Sequence, residues 1–179
     1  MRSRHARRAR ACFRLGAVLL GSLLVTCVGV AGVAGAQGSG QTSSIDATVA
    51  LSSKQTVLTQ VGKGGDVTYG WNQLEGSAAT PSGTTTVEIL GNVDYLNGSG
   101  QFFGFVTLKF ASLSTVGFLM EGRATKQADG STKLKATLKV VDGSAAFTGA
   151  TGAGSFTGTR AAALGSPIEI TLRARVRLR

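Results

Sequence analysis

The chain has 179 residues, 42% of them hydrophobic, and nineteen Lys and Arg against nine Asp and Glu give it a formal net charge of +10. Its only His (His5) and both Cys (Cys12, Cys27) fall within the first 36 residues, so the remainder holds no Ser-His-Asp triad, Cys-His dyad, thiolate or imidazole zinc site, or redox disulfide. What is left is the chemistry of carboxylates, Lys, Arg, Tyr and hydroxyls. The nine acids do not cluster as an EF-hand loop does, and neither a metal site nor a cofactor is expected.

Six arginines (Arg2, Arg4, Arg7, Arg8, Arg10, Arg14) precede the uncharged run LGAVLLGSLLVTCVGVAGVAGA, which ends with Ala34 and Ala36 in an A-x-A arrangement. A basic start, an apolar centre and a small-residue end predict a secretory signal peptide over residues 1–36. The run meets a cleavage-like site rather than a basic stop, so no stable membrane anchor is expected after cleavage. LVTC, ending at Cys27, departs from a lipoprotein box at Thr26, and Arg7-Arg8 leaves Sec and twin-arginine export both open. The expected location is secreted or periplasmic. Cleavage leaves about 143 residues with thirteen basic and nine acidic groups, a net charge of +4. The strong basicity belongs mostly to the export segment, so no nucleic-acid partner is expected.

Residues 37–44, QGSGQTSS, read as a mobile polar lead, and 45–179 as one domain large enough to bury a core without disulfides. Strands are expected near 45–52, 56–61, 66–72, 84–95, 101–111, 115–126, 132–141, 154–160 and 167–178. GKGGD (62–66), NGSG (97–100) and ADGS (128–131) supply turn chemistry between them, and EGSAATPSG (75–83) reads as the longest loop. Alternation is clearest at the end. Ile168, Ile170, Leu172, Ala174, Val176 and Leu178 share one face, while Arg173, Arg175, Arg177 and Arg179 lie on the other. No segment keeps a helical period, so the chain is expected to be all-β, with about eight or nine antiparallel strands. A closed barrel hides one apolar face and removes both edges, which favours it over the alternative, a β-sandwich.

DGSAAFTGATGAGSFTGTR (142–160) carries Phe-Thr-Gly twice. No Lys-Ser or Lys-Thr follows its glycines, so it is not a phosphate loop; spaced Phe147 and Phe156 fit a strand, a kinked crossing and another strand at a barrel corner. Together with YLNGSGQFFGFVTLKF (95–110) and MEGRATKQADGSTKL (120–134), it resembles the bacterial secreted relatives of the allene oxide cyclase and dirigent barrels. That resemblance covers roughly residues 84–160. It implies an eight-stranded barrel, a small apolar ligand, and a homo-oligomer, with trimers as in the plant relatives. Asp142-Gly143-Ser144 stands where that family usually has Gly-Gly-Thr, and no catalytic residue carries over position by position.

Among candidate site residues, Tyr69 and Trp71 fall on one strand face and are expected to join Tyr95, Phe103 and Phe105 in the lumen, either as core packing or around a hydrophobic or phenolic ligand. Glu88, Asp94 and Glu121 are the candidate catalytic carboxylates, with Arg123 sharing the face of Glu121. Turned inward, one of them would serve an allene oxide cyclase-like isomerase; turned outward, they are solvated charges. Lys133, Lys135 and Lys139 with the terminal arginines form basic combs, which suit either a solvated face or an anionic surface partner. Phe103 and Phe105 oppose Phe102, Val106, Leu108 and Phe110, so strand 101–110 is apolar on both faces and needs outside cover, as a subunit interface would give. The leading expectation is an exported barrel that binds or orients a small apolar ligand without catalysis of its own. The isomerase comes second and a surface-interaction protein third.

Overall fold

The computed structural model describes residues 40–81 and 83–179, so the expected signal peptide and the first residues of the polar lead lie outside the described residues. Eight strands follow one another: β1 (Thr42–Val61), β2 (Val67–Thr80), β3 (Gly83–Leu96), β4 (Ser99–Phe110), β5 (Thr115–Lys126), β6 (Thr132–Ser144), β7 (Thr151–Arg160) and β8 (Ile168–Arg177). Each pairs antiparallel with the next, and β8 returns to β1, so the sheet closes as the expected eight-stranded barrel.

Two local expectations change. The segments near 45–52 and 56–61 are one strand. Thr42–Leu51 pairs with β8 and Ser52–Val61 with β2, with a register irregularity between Ser53 and Gln55. The interruption in alternation is a bulge where the strand bends from one neighbour to the other. Thr42–Ser44, expected in the polar lead, form its first rungs against Arg177, Val176 and Arg175. The second change is in 75–83. Glu75 to Thr80 continue β2 and pair with β3 down to Thr80–Gly83, because the small residues that resemble a loop are needed where the wall is crowded, with Ala78 fully packed inside. The Asn97-Gly98 turn behaves as its sequence predicts: both residues have positive φ, +53° and +82°, the geometry of a tight two-residue hairpin.

Side chains of one parity fill the lumen. Leu51, Val87, Val106, Leu108, Phe118 and Leu172 are completely buried, each contributing about 1.5–3 kcal/mol by transfer from water. Inside the lumen Phe102 stacks on Phe156 with ring centroids 6.0 Å apart. The Gly-rich stretch then takes its place: it ends β6, makes the 3-10 turn Ala145–Phe147 and begins β7. Phe147 is buried and stacks on Phe110 at 5.1 Å, so this end of the barrel is plugged by aromatic rings.

Asp142 holds the plug's connection in shape. Its Oδ1 accepts hydrogen bonds from the amides of Gly143 (2.7 Å) and Gly149 (3.2 Å), and these bonds hold the carboxyl below its ordinary range. The charge therefore supports the turn at pH values above the ordinary carboxylate range and ceases to do so as pH falls through the lowered pKa. Asp142→Ala is expected to raise the hydrogen-exchange rate of the Gly149 amide about tenfold, while the Val140 amide in the sheet is unchanged.

Candidate ligand site at the barrel mouth

The opposite end of the lumen is not filled. A cavity of about 60 Å³ lies there, walled by Tyr95, Phe102, Met120, Leu134 and Phe156 and bordered by Leu164–Ser166 of the β7–β8 connection. A water needs about 10–15 Å³ by this measure, so the space takes several waters or one small ring. The cavity exists because β2 and β3 present little bulk to it: Asn72 and Gly91 both line it.

Asn72 is buried and hydrogen-bonded on the wall side through both ends of its amide. Its Nδ2 donates to Ser53 Oγ (2.9 Å) and its Oδ1 accepts from Thr56 Oγ1 (2.9 Å), both across the β1 bulge. Tyr95 is 2% exposed. Burial pushes its phenol pKa up, while the nearby Arg160 charge pulls the other way, so the hydroxyl stays protonated at neutral pH. Arg160 is also buried, with its guanidinium carbon 5.9 Å from the Tyr95 ring centroid. Its Nε donates to Ala162 O (3.2 Å), tying the end of β7 to the β7–β8 connection, and its Nη2 to Thr132 Oγ1 (3.1 Å) at the start of β6.

Of the aromatic residues expected in the lumen, Tyr95 alone faces it. Tyr69, Trp71, Phe103 and Phe105 are on the outer surface, a correction with a simple cause: in β2 the inward parity belongs to Gly70, Asn72, Leu74, Gly76 and Ala78, and in β4 to Phe102, Val106 and Leu108. The register still gathers them. Trp71 pairs with Asn92 and Asn92 with Phe103, while Leu90 pairs with Phe105 and Phe105 with Leu119. Phe103, Phe105, Leu90 and Tyr69 are each 43–50% exposed, so β2–β5 carry an apolar outer patch, edged by Asp94 and Glu121.

The three candidate carboxylates also point outward. Glu88 accepts from Gln73 Nε2 (2.7 Å) and from Lys109 Nζ (2.8 Å), and those two bonds hold its pKa below the ordinary glutamate range. Such a group stays ionised and is a poor general acid at neutral pH. Asp94 is an exposed outer residue opposite Tyr69, and Glu121 is one opposite Phe103. Among the described residues, no Asp or Glu lines the cavity. Arg123 is exposed too, between Gln101 and Lys135. Because Glu88 has a depressed pKa, its contribution to stability is present above the ordinary glutamate pKa and is lost as pH falls through the lowered one. The pair lies on the outer face with Lys109 half exposed, so solvent screening keeps it weak and Glu88→Gln is expected to cost under about 1 kcal/mol. A carboxyl NMR titration of Glu88 is expected to give a midpoint below the ordinary glutamate value.

The basic combs are kept apart by β7. Lys135 pairs with Thr157 and Thr157 with Thr171; Lys139 pairs with Ala153 and Ala153 with Arg175. Arg173 meets an acid across the closure, its Nε 3.0 Å from Asp46 Oδ2.

The sequence does not single out Arg160 and Asn72, and it presents Phe156 as a barrel-corner anchor rather than as part of a site. A signal for Arg160 was present: it shares the parity of Phe156 in TGAGSFTGTR, so an inward Phe156 carries Arg160 inward with it. Comparison with known proteins found no matching protein-family model, no matching curated protein and no matching solved structure.

Proposed function

We propose that the chain is a small-ligand-binding barrel that holds a compact, mainly apolar molecule in the mouth cavity and orients or sequesters it without transforming it. The observation that carries this reading is the asymmetry of the lumen: one end is plugged by Phe110 and Phe147, and the other keeps a cavity of about 60 Å³ among Tyr95, Phe102 and Phe156. Apolar walls with a few fixed polar groups are the general make-up of small-molecule sites. The size favours one ring or a short chain over a polycycle. The resemblance to allene oxide cyclase and dirigent barrels supports the same class of ligand.

An isomerase would need a lumenal carboxylate. With Glu88, Asp94 and Glu121 on the outside, that alternative has less support. The proposal includes export by the basic and apolar N-terminal segment, ending in a secreted or periplasmic protein. It also includes self-association through the outer patch of Trp71, Leu90, Phe103, Phe105 and Leu119, with a trimer as the number the resemblance implies.

Native mass spectrometry of the protein purified gently from its own host tests these parts together. The expected result is an oligomer carrying a reproducible small added mass. An empty monomer would overturn both the ligand and the assembly.

A further inference from the structure

We propose that the mouth cavity selects a ligand with a carboxylate head, received by Arg160, and that the apolar remainder of the ligand lies against Phe102, Phe156 and Leu134. This deepens the ligand-binding reading and rests on it. Arg160 is 7% exposed, yet both of its protein acceptors, Ala162 O and Thr132 Oγ1, are neutral. Among the described residues, the ion pairs are Lys109 with Glu88 and Arg173 with Asp46, and neither involves Arg160. A guanidinium has five N–H donors in a planar fork. Two are used by Ala162 O and Thr132 Oγ1, and the Tyr95 hydroxyl lies close to the same fork, so at least two remain.

A buried cation without a counter-charge is unfavourable unless something pairs with it. The Tyr95 ring at 5.9 Å compensates only in part. Arg160 also borders both the lumen cavity and an outer depression formed with Lys126, Thr132 and Ala161–Leu164, so its guanidinium lies between the solvent side and the lumen. A carboxylate matches the guanidinium fork with two parallel hydrogen bonds. The protonated Tyr95 hydroxyl adds a donor to the same cavity rather than an opposing charge. A purely structural Arg160, clamping the β7–β8 connection through Ala162 O, would explain its burial but would show no preference for charge in a ligand.

The test is a pair of neutral and anionic isosteres. Benzoate against benzamide, and hexanoate against hexanamide, are titrated into the purified protein while the Arg160 Nε–H and Tyr95 ring signals are followed by NMR. The acids are expected to bind at least about tenfold more tightly than the amides and to shift the Arg160 signal, as a charge-assisted pair requires. Arg160→Gln should bring the ratio to about one, and Arg160→Lys should keep part of it. Equal binding of acid and amide to the wild-type protein would overturn the carboxylate site and leave an apolar pocket. Absence of binding by all four compounds would overturn the pocket as well. The wild-type Arg160 signal alone decides the matter if Arg160→Gln fails to fold: a shift with amide equal to that with acid overturns the proposal.

Discussion

Gly104→Ala is expected to lower the free energy of unfolding by on the order of 3 kcal/mol, whereas Gly91→Ala, at the residue paired with it, leaves stability unchanged or raises it by about 0.4–1 kcal/mol. Gly104 has φ +149°, which side chains rarely adopt, and a methyl group there would be driven into the backbone carbonyl of Leu90. Backbone cannot step aside as a side chain can, so β4 would have to lift off β3. Gly91 has ordinary extended backbone. A methyl on it would meet Met120 Cε at 3.5 Å and Ile89 Cγ2 at 3.7 Å, which is normal contact. It also points into the cavity. Gly91→Leu should therefore fill the site and abolish ligand binding while the barrel still folds. Urea unfolding of the three variants, with far-UV circular dichroism as the check on fold, measures all of this. Equal losses for the two Gly→Ala changes would contradict the placement of the cavity beside Gly91.

Phe156→Ala is expected to cost about 3–5 kcal/mol, and Phe105→Ala less than about 1 kcal/mol in the isolated chain. Phe156 is 2% exposed and stacks on Phe102, so its removal loses buried area and leaves a void that the closed sheet relaxes into poorly. Phe105 is half exposed on the outer wall, where water already covers much of the ring. The two variants also separate by function. Phe156→Ala enlarges the cavity and should admit bulkier ligands. Phe105→Ala should weaken self-association and leave ligand affinity alone. Chemical denaturation at low protein concentration, paired with sedimentation at high concentration, reads both properties. A large stability loss for Phe105→Ala in the monomer would mean that this ring is packed inside.

The contrast between those two phenylalanines marks where the sequence stops being legible. Alternation in β6 and β8 names the inner face without ambiguity, because Leu134, Leu138, Ile170 and Leu172 oppose only Lys, Arg, Thr and Glu. The closed barrel follows from such strands. In β4 both parities are apolar, so hydrophobicity alone does not say whether Phe103 and Phe105 or Phe102 and Val106 face inward. β2 inverts the usual rule: apart from Leu74 its inner face is small or polar, Gly70, Asn72, Gly76 and Ala78, and its bulky Tyr69 and Trp71 are outside. The barrel has limited volume, and small residues on one wall make room for Phe102, Phe118 and Phe156 from the others. That compensation is a property of the closed sheet, not of any strand, and the candidate site depends on it. Asn72 shows the same limit. Its partners Ser53 and Thr56 flank a bulge, and the bulge is a consequence of β1 serving two neighbours.

The most direct test of the mouth site is a crystal of the protein soaked with 4-bromobenzyl alcohol, a neutral ring whose bromine is located by anomalous scattering. The expected result is a bromine peak inside the lumen between Tyr95, Phe102 and Phe156, absent from crystals of Gly91→Leu. A peak found only on the outer surface, against Phe103 and Phe105, would contradict a lumenal site and move ligand recognition to the outer face of β2–β5.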